Sequence, residues 1–488
     1  MTSNIQDLFA PSIQSLLNKL NMLIGPIYLV GGTVRNMLDH KPLANELNLL
    51  VQRPLPECFD LLREGGGSFL TLNTKQHKVW TAGYSSLILP LKKGNAGETL
   101  HPDDEIFHFA MPLSHIEIAT CRHRPDREAT IEEDLLHRDL TVNAMAFAWP
   151  NGPLIDPFHG KEDLAQRRIR LVNGITSLED DPLRALRYFR FLLQLEGSSD
   201  ERERDMASEY SLESIPPKKL RAELDRFFSL SFSGTARQKI VHDFFYSPLA
   251  QDIFSDMATP PICNSGATPA HRCRWAIQVM SEISEPEADE IIPWHDLRWT
   301  AMFYAMGELN CIAREKGHTR SALHGLSTRK IQEILKQFRF SQRRQQHIFQ
   351  MLQHMDSSLV PTDRTLTRLM HQGIPIPGLF RLVHALQSAR AKEPNQPTEI
   401  DTPQGLDKQL GRVLNRYRSL QQATQRLQPK DLAISGGEIL DLVRLPQGEW
   451  MRELIDELLA WISQDRTRNQ RAMLYDKIRE WIANGNRY

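Results

Sequence analysis

Residues 27–38 read IYLVGGTVRNML, an apolar run, then a glycine pair, then a stretch that starts with helical spacing. A second apolar run follows at Leu47–Val51. Strand, glycine turn, helix and strand in that order commit the start of the chain to a layered α/β arrangement. A glycine pair between a strand and a helix also exposes backbone N–H groups and a positive helix end, which suits a phosphate chain. An ordinary strand-to-helix turn accounts for a lone glycine pair at least as well, so the rest of the chain must decide.

At 488 residues the chain is long enough for roughly two to four domains. Short β-rich runs bounded by Gly, Pro and Asn fill the first ~150 residues: IYLVGG, LNLLV, SFLTLN, KVWTAGY and HIEIAT. After LIDPFHG (154–160) the texture becomes helical. DPLRALRYFRFLLQLE (181–196) puts Leu183, Leu186, Tyr188, Phe189 and Leu193 at helical spacing, with Arg184, Arg187 and Arg190 interleaved. Pro- and Gly-dense linkers are expected at 256–271 and 392–405, and no fixed-period repeat is present. The expected order is an α/β head over 1–150, then helical segments over 151–255, 272–391 and 406–488.

Three further stretches carry polar chemistry. In EEDLLHRDLTVNAMAFA (132–148), Asp139 and Asn143 are four apart, so a helix would place them on one face to grip a ribose hydroxyl or a base edge. An N-cap Asp and a solvated Asn explain the same residues. IDPFHGKEDLAQRRIRLV reads as a turn leading into a basic helix. In EDDPLRALRYFRF, Asp181 and Arg184 are three apart at a helix start, an acceptor beside a rigid donor fork that can read a nucleobase edge. A helix-start carboxylate paired with a first-turn Arg is the plain alternative.

In this order, LVGGTVRNML, IEIATCRHR, EEDLLHRDLTVNAMAF, LIDPFHGKEDLAQRRIRLV, EDDPLRALRYFRF and IPPKKLRAEL resemble the class II tRNA nucleotidyltransferases (CCA-adding enzymes) and bacterial poly(A) polymerases. LHGLSTRKIQEILKQFRFS and DLAISGGEILDL extend the resemblance into the second half. It implies an α+β protein with an N-terminal nucleotidyltransferase (polymerase β-like) α/β head and an all-helical neck, body and RNA-contacting tail. It implies that Gly31 and Gly32 cradle a triphosphate with Arg35 nearby, and that Arg138, Asp139 and Asn143 meet its sugar and phosphates. Asp181 and Arg184 would face the incoming base, with Arg187 beside them. Magnesium, ATP or CTP, and RNA (tRNA or an RNA 3′ end) are the implied cofactor, ligands and partner. Asp180, His137, Lys218 and Lys219 depart from the family pattern, and RLPQGEW (444–450) lacks its Gly-Pro-rich turn.

The family chemistry joins a nucleotide to an RNA 3′ hydroxyl with two divalent ions, held by an Asp-x-Asp on the strand after the glycine turn and by a third acid on a neighbouring strand. Glu117 matches the third acid. Counting from Gly31-Gly32 puts the pair at Asn45 and Leu47, a neutral amide and a hydrocarbon. Moving the frame by one gives Glu46 and Asn48, but a one-residue step turns every side chain to the opposite face of a strand. A bulge would be needed, and one acid would return. Asp39 is a more distant candidate, and Asn36 stands where the family has Asp. A hard dication wants charged oxygens, so an RNA-binding relative with retained nucleotide motifs and impaired or lost transfer is expected. The alternative is an active enzyme adding CCA or A through Glu117 and a rearranged acid.

Other features are plainer. Lys+Arg 59 against Asp+Glu 60 give a formal net charge of −1, which does not announce nucleic acid. The 5 cysteines are scattered without a C-x-x-C, no apolar run reaches the ~18 residues of a membrane span, and MTSNIQDLFAPSIQSLL lacks a signal-peptide layout. A cytoplasmic protein without a zinc site is expected. Trp294-His295-Asp296 lacks the further His and Asp of a phosphohydrolase centre, so a helical core or cap role is expected there.

Overall fold

The computed structural model describes residues 8–43, 46–65, 78–81, 84–90, 115–121, 130–254, 269–284, 293–308, 328–355, 357–392, 403–424, 429–443, 448–464 and 466–483. Two compact units, Met1–Gln353 and His354–Tyr488, divide the chain. This division falls inside the 272–391 segment. Among the described residues no helix is long and apolar enough to cross a membrane.

The first unit opens with α1 (Pro11–Ile24), β1 (Ile27–Val30), α2 (Gly32–Leu38), β2 (Glu46–Val51) and α3 (Leu55–Gly65). β3 (Lys78–Thr81), β4 (Tyr84–Pro90) and β5 (His115–Thr120) follow, then α4 (Ile131–Leu136), β6 (Ala146–Ala148) and β7 (Leu154–Ile155). SFLTLN lies outside the described residues. The strands form one sheet in the order β3-β4-β5-β2-β1-β6-β7. β2 runs parallel to β5, and the other neighbours pair antiparallel.

Alternation along β2 and β5 gives each face of the sheet its task. Leu47, Leu49, Val51, Ile116 and Ile118 point one way and are all but inaccessible, at 0–1 % exposure. On the other face, Leu50, Ala119 and Cys121 join Val30, Ile131 and Leu135 in an apolar cluster beneath α4. The same face carries Glu46, Asn48 and Glu117 farther along, where that cover ends and a cavity opens. α4 is secured by a capping box in which Thr130 and Glu133 exchange side-chain-to-backbone bonds.

Helices then take over: α5 (Gly160–Ala165), α6 (Gly174–Asp180), α7 (Leu183–Leu195), α8 (Glu201–Ser208), α9 (Pro217–Phe228), α10 (Thr235–Phe245) and α11 (Pro248–Ile253). The basic helix expected in 154–172 is absent. α5 carries Glu162 and Asp163 in its first turn, and Arg167, Arg168 and Arg170 lie beyond its C-cap Gln166. Gly160 is demanded by packing, since a Cβ there would lie 2.1 Å from the Thr141 carbonyl oxygen. Helices at 269–281, 294–308, 328–337 and 342–352 complete the unit.

Arg344 ties three of these helices together, donating to Asp225 (2.8 and 2.9 Å) and to Asp296 (2.8 Å from Nε). Asp296, 2 % exposed, is thus consumed in a structural ion network. His295 faces Ser229 at 3.2 Å, as a helix-packing residue.

In the second unit, helices at 363–371, 376–391 and 403–424 share a core that includes Leu366, Leu379, Phe380 and Leu410. Those at 436–443, 449–464 and 471–483 share another that includes Ile439, Leu454, Leu474 and Trp481. In SGGEIL, Ser435 Oγ donates to Glu438 Oε2 and the Glu438 amide donates back to that hydroxyl, closing the start of its helix.

Candidate active site

Beside the sheet, the first unit carries an open cavity of about 410 Å³. Its floor is the β1–α2 turn and the open end of β2 and β5. Its far wall is α7, which presents Arg187, Arg190, Phe191 and Gln194, and Arg226 of α9 lines it too. Positions i, i+3, i+4 and i+7 fall on one side of a helix, which is why those four α7 residues arrive together.

The glycine pair sits at the cavity's edge. Gly31 adopts φ 61°, a left-handed conformation that favours glycine. A Cβ on it would lie 3.3 Å from Arg138 Nη1, and one on Gly32 would lie 3.7 Å from Asn48 Nδ2. A side chain at Gly31 would press on Arg138, and one at Gly32 would fill the space between the turn and Asn48 of β2.

The strand register departs from the spacing count. Glu46, Asn48 and Glu117 line the cavity, with Asn48 directly across from Glu117 in the parallel ladder. Leu47 is 0 % exposed on the opposite face, and Asn45 lies outside the described residues. No bulge is involved. The ladder runs unbroken from Glu46 opposite His115 to Val51 opposite Thr120. Two carboxylates and one amide therefore face the cavity, where one surviving acid was expected. Among the described residues no three His, Cys, Asp or Glu side chains gather as a metal-binding group. Asp39 is not a substitute, because it binds Arg167 (2.6 Å) and Lys41 (2.8 Å) outside the cavity.

Arg35, Asp139 and Asn143 form a chain of hydrogen bonds. Arg35 Nη1 donates to Asn143 Oδ1 at 2.5 Å, and Asn143 Nδ2 donates to Asp139 Oδ1 at 3.1 Å. Asp139 also accepts from the Leu140 amide at 2.8 Å. The expected helix does not bring 139 and 143 together. α4 has ended at Leu136, and a 3-10 turn over Thr141–Asn143 returns Asn143 to Asp139. Burial alone would raise the Asp139 carboxyl, but the guanidinium groups of Arg187 and Arg184 hold it below the usual range. Burial, with the charge of Arg190 beside it, brings Arg35 down to about 10.

Asp181 and Arg184 are placed differently from the expectation, and neither lines the cavity. Arg184 is 6 % exposed and donates to the carbonyls of His137 (2.5 Å) and Ser177 (3.0 Å) and to the Ser177 hydroxyl (2.9 Å). It ties α7 to the end of α4 and to α6. The guanidinium nearest Asp181 is that of Arg187, 3.5 Å away. Arg187 Nη1 also lies 3.9 Å from Asp139, and its Nε lies 3.7 Å from Glu223. Burial opposes its charge, and Asp139, Glu223 and Asp181 together more than restore it.

Glu223, 1 % exposed behind the wall, accepts from Arg190 Nε and from Arg226 Nη1 (3.0 Å). Burial would raise its carboxyl, but Arg190 and then Arg187 keep it ionised below the usual range. Arg190, Phe191, Gln194 and Arg226 also line the cavity although the motifs did not single them out, and Glu46 and Asn48 entered the sequence reading only through the shifted frame. The helical spacing of Arg187, Arg190 and Gln194 was the signal available for the α7 residues. Five arginines against three carboxylates leave the cavity cationic, the balance a polyphosphate requires.

Comparison with known proteins bears on this geometry. Residues 27–170 match the family described as poly A polymerase head domain, and residues 321–478 match the tRNA nucleotidyltransferase domain 2 family. The CCA-adding enzyme of Actinobacillus succinogenes is 35% identical over 167 residues, 34% of this chain and 35% of that protein. The multifunctional CCA protein of Vibrio cholerae is 35% identical over 173 residues, 35% of this chain and 36% of that protein. The match thus spans little more than a third of each relative. Among solved structures, the Bacillus stearothermophilus CCA-adding enzyme in complex with CTP aligns over 98% of this chain and 99% of its own, with TM-score 0.52 at 17% identity. A tRNA nucleotidyltransferase complexed with a primer tRNA and an incoming ATP analog aligns over 81% of this chain and 96% of its own, with TM-score 0.51 at 17% identity. These two likenesses concern the fold.

Proposed function

We propose that the chain is a member of the class II tRNA nucleotidyltransferase and poly(A) polymerase family, and that it binds a nucleoside triphosphate in the arginine-lined cavity and an RNA 3′ end beside it, with nucleotidyl transfer slowed by Asn48. The observation that carries the reading is the amide of Asn48 set across from Glu117 on the cavity face.

Arg35, Arg138, Arg187, Arg190 and Arg226 supply the positive charge that ATP or CTP would meet. The bond between Arg35 and Asn143 fixes that guanidinium below the glycine turn before any ligand arrives. Bound magnesium would assist the attacking hydroxyl and screen the leaving pyrophosphate. Glu46, Glu117 and the Asn48 amide oxygen fit one such hard cation, and they are one charge short for a pair.

Incorporation of radiolabelled ATP and CTP into tRNA, with magnesium or manganese, tests the reading. Slow incorporation that rises on Asn48→Asp is expected. Wild-type turnover equal to that of Asn48→Asp would overturn it. The RNA half is tested separately, since absence of an electrophoretic shift with tRNA at low salt would remove it.

A second reading has its own support. Glu46 and Glu117 share the cavity face, and two carboxylates can serve an active enzyme adding CCA or A to RNA ends. Robust wild-type incorporation that collapses on Glu46→Gln would select it.

A further inference from the structure

The ring of Phe191 carries two guanidinium groups. Arg190 Cζ lies 4.2 Å from the ring centroid, and Arg35 Cζ, from α2 on the other side of the cavity, lies 5.0 Å from it. All three residues line the cavity. Two like charges converge here, and that of Arg190 opposes the charge of Arg35. Arg190 is anchored from behind by Glu223 and by Gln194 Oε1 at 3.0 Å. Arg35 is anchored by Asn143 and by Asn36 Oδ1 at 3.1 Å. The face of an aromatic ring is electron-rich and attracts cations, so one ring can hold both guanidiniums near each other and partly offset their repulsion.

We infer that Phe191 is a positioning residue that holds Arg35 and Arg190 as a pincer for the polyphosphate of the ligand. The inference rests on the nucleotide-binding reading above. Arg35 and Arg190 converge from different elements, α2 and α7, and the ring between them joins the glycine turn to the helical wall. A chain of phosphates entering the cavity replaces a repulsive pair with two attractive contacts. The contribution therefore belongs to the phosphates and grows with their number. The base and the sugar gain nothing from it.

Two substitutions separate the ring from its bulk. Phe191→Met keeps an apolar side chain of similar size, and Phe191→Tyr keeps the aromatic face. Calorimetric titration of each with tripolyphosphate, ATP, AMP and adenosine is the measurement. Phe191→Met is expected to weaken tripolyphosphate and ATP by about tenfold, AMP by less and adenosine not at all. Phe191→Tyr should stay within about threefold of wild type throughout. Equal affinities for Met and wild type, equal losses for Met and Tyr, or a loss that extends to adenosine would overturn the inference. Should Phe191→Met fail to fold, Arg190→Gln decides, because unchanged tripolyphosphate affinity there removes the pincer. A wild-type protein that binds neither ATP nor tripolyphosphate would overturn the nucleotide reading together with this one, whereas wild-type binding that the variants leave unmoved overturns this one alone.

Discussion

Asn48 stands directly across from Glu117 where β2 pairs with β5, so the side chain beside the carboxylate is an amide of nearly the same shape. The neighbour that follows from counting along the chain, Leu47, lies on the far face with no exposed surface.

That contrast gives the first prediction. Asn48→Asp restores a charge without changing volume, and it is expected to raise metal-dependent incorporation by about tenfold or more. Leu47→Asp puts a charge into the apolar layer and is expected to cost at least about 3 kcal/mol of stability with no gain in activity. Incorporation assays and urea unfolding of both variants check the pair. A gain from position 47 would mean that the strand faces the other way.

Glu46→Gln and Glu117→Gln should each weaken manganese binding, read by electron paramagnetic resonance, by about tenfold or more. A variant at Asp39 should leave manganese binding unchanged, because Asp39 is spent on Arg167 and Lys41.

Arg184→Met removes a buried guanidinium that holds the His137 and Ser177 carbonyls. Leaving those acceptors unpaired is expected to cost about 2–4 kcal/mol in urea unfolding. A stable variant with an altered preference between ATP and CTP would instead assign Arg184 the base-facing role that its position in EDDPLRALR implied.

Glu203 supplies a pH dependence. Burial raises its carboxyl to about 7, despite a hydrogen bond of 3.0 Å from the Leu171 amide. Because its folded value lies above that of the unfolded chain, the native state holds the extra proton at mildly acidic pH. Stability from this group should fall as pH rises from about 4.5 to about 7 and stay low above that. Glu203→Gln should therefore stabilise the protein at pH 8 by on the order of 2 kcal/mol after allowance for solvent screening, and by much less at pH 5. Unfolding curves at the two pH values check the sign.

The strands at IYLV, LNLLV and HIEIAT and the helices in 181–228 were legible, because alternation and helical spacing are properties of short windows. The register of β2 was not. It depends on which neighbour β2 pairs with and in what frame, and β5 lies about seventy residues farther along the chain. Asp139 and Asn143 met for a reason that their spacing misidentified, a 3-10 turn in place of a helix. The burial of Arg184 and the exposure of Arg187 to the cavity depend on how α7 rolls against α4 and α6, which its own sequence does not specify. Phe191 carries no signal of its own in the sequence, since nothing nearby in the chain reveals that Arg35 reaches it.

Glu46, Asn48 and Glu117 lie before residue 170, and Arg187, Arg190, Phe191 and Arg226 lie after it. A fragment ending near 170 would thus keep the groups that face a cation while losing most of its grip on anions. The two capacities can also decay independently over evolution. On the proposed reading, one neutral side chain on the sheet slows the chemistry and leaves the arginines of the helical wall in place.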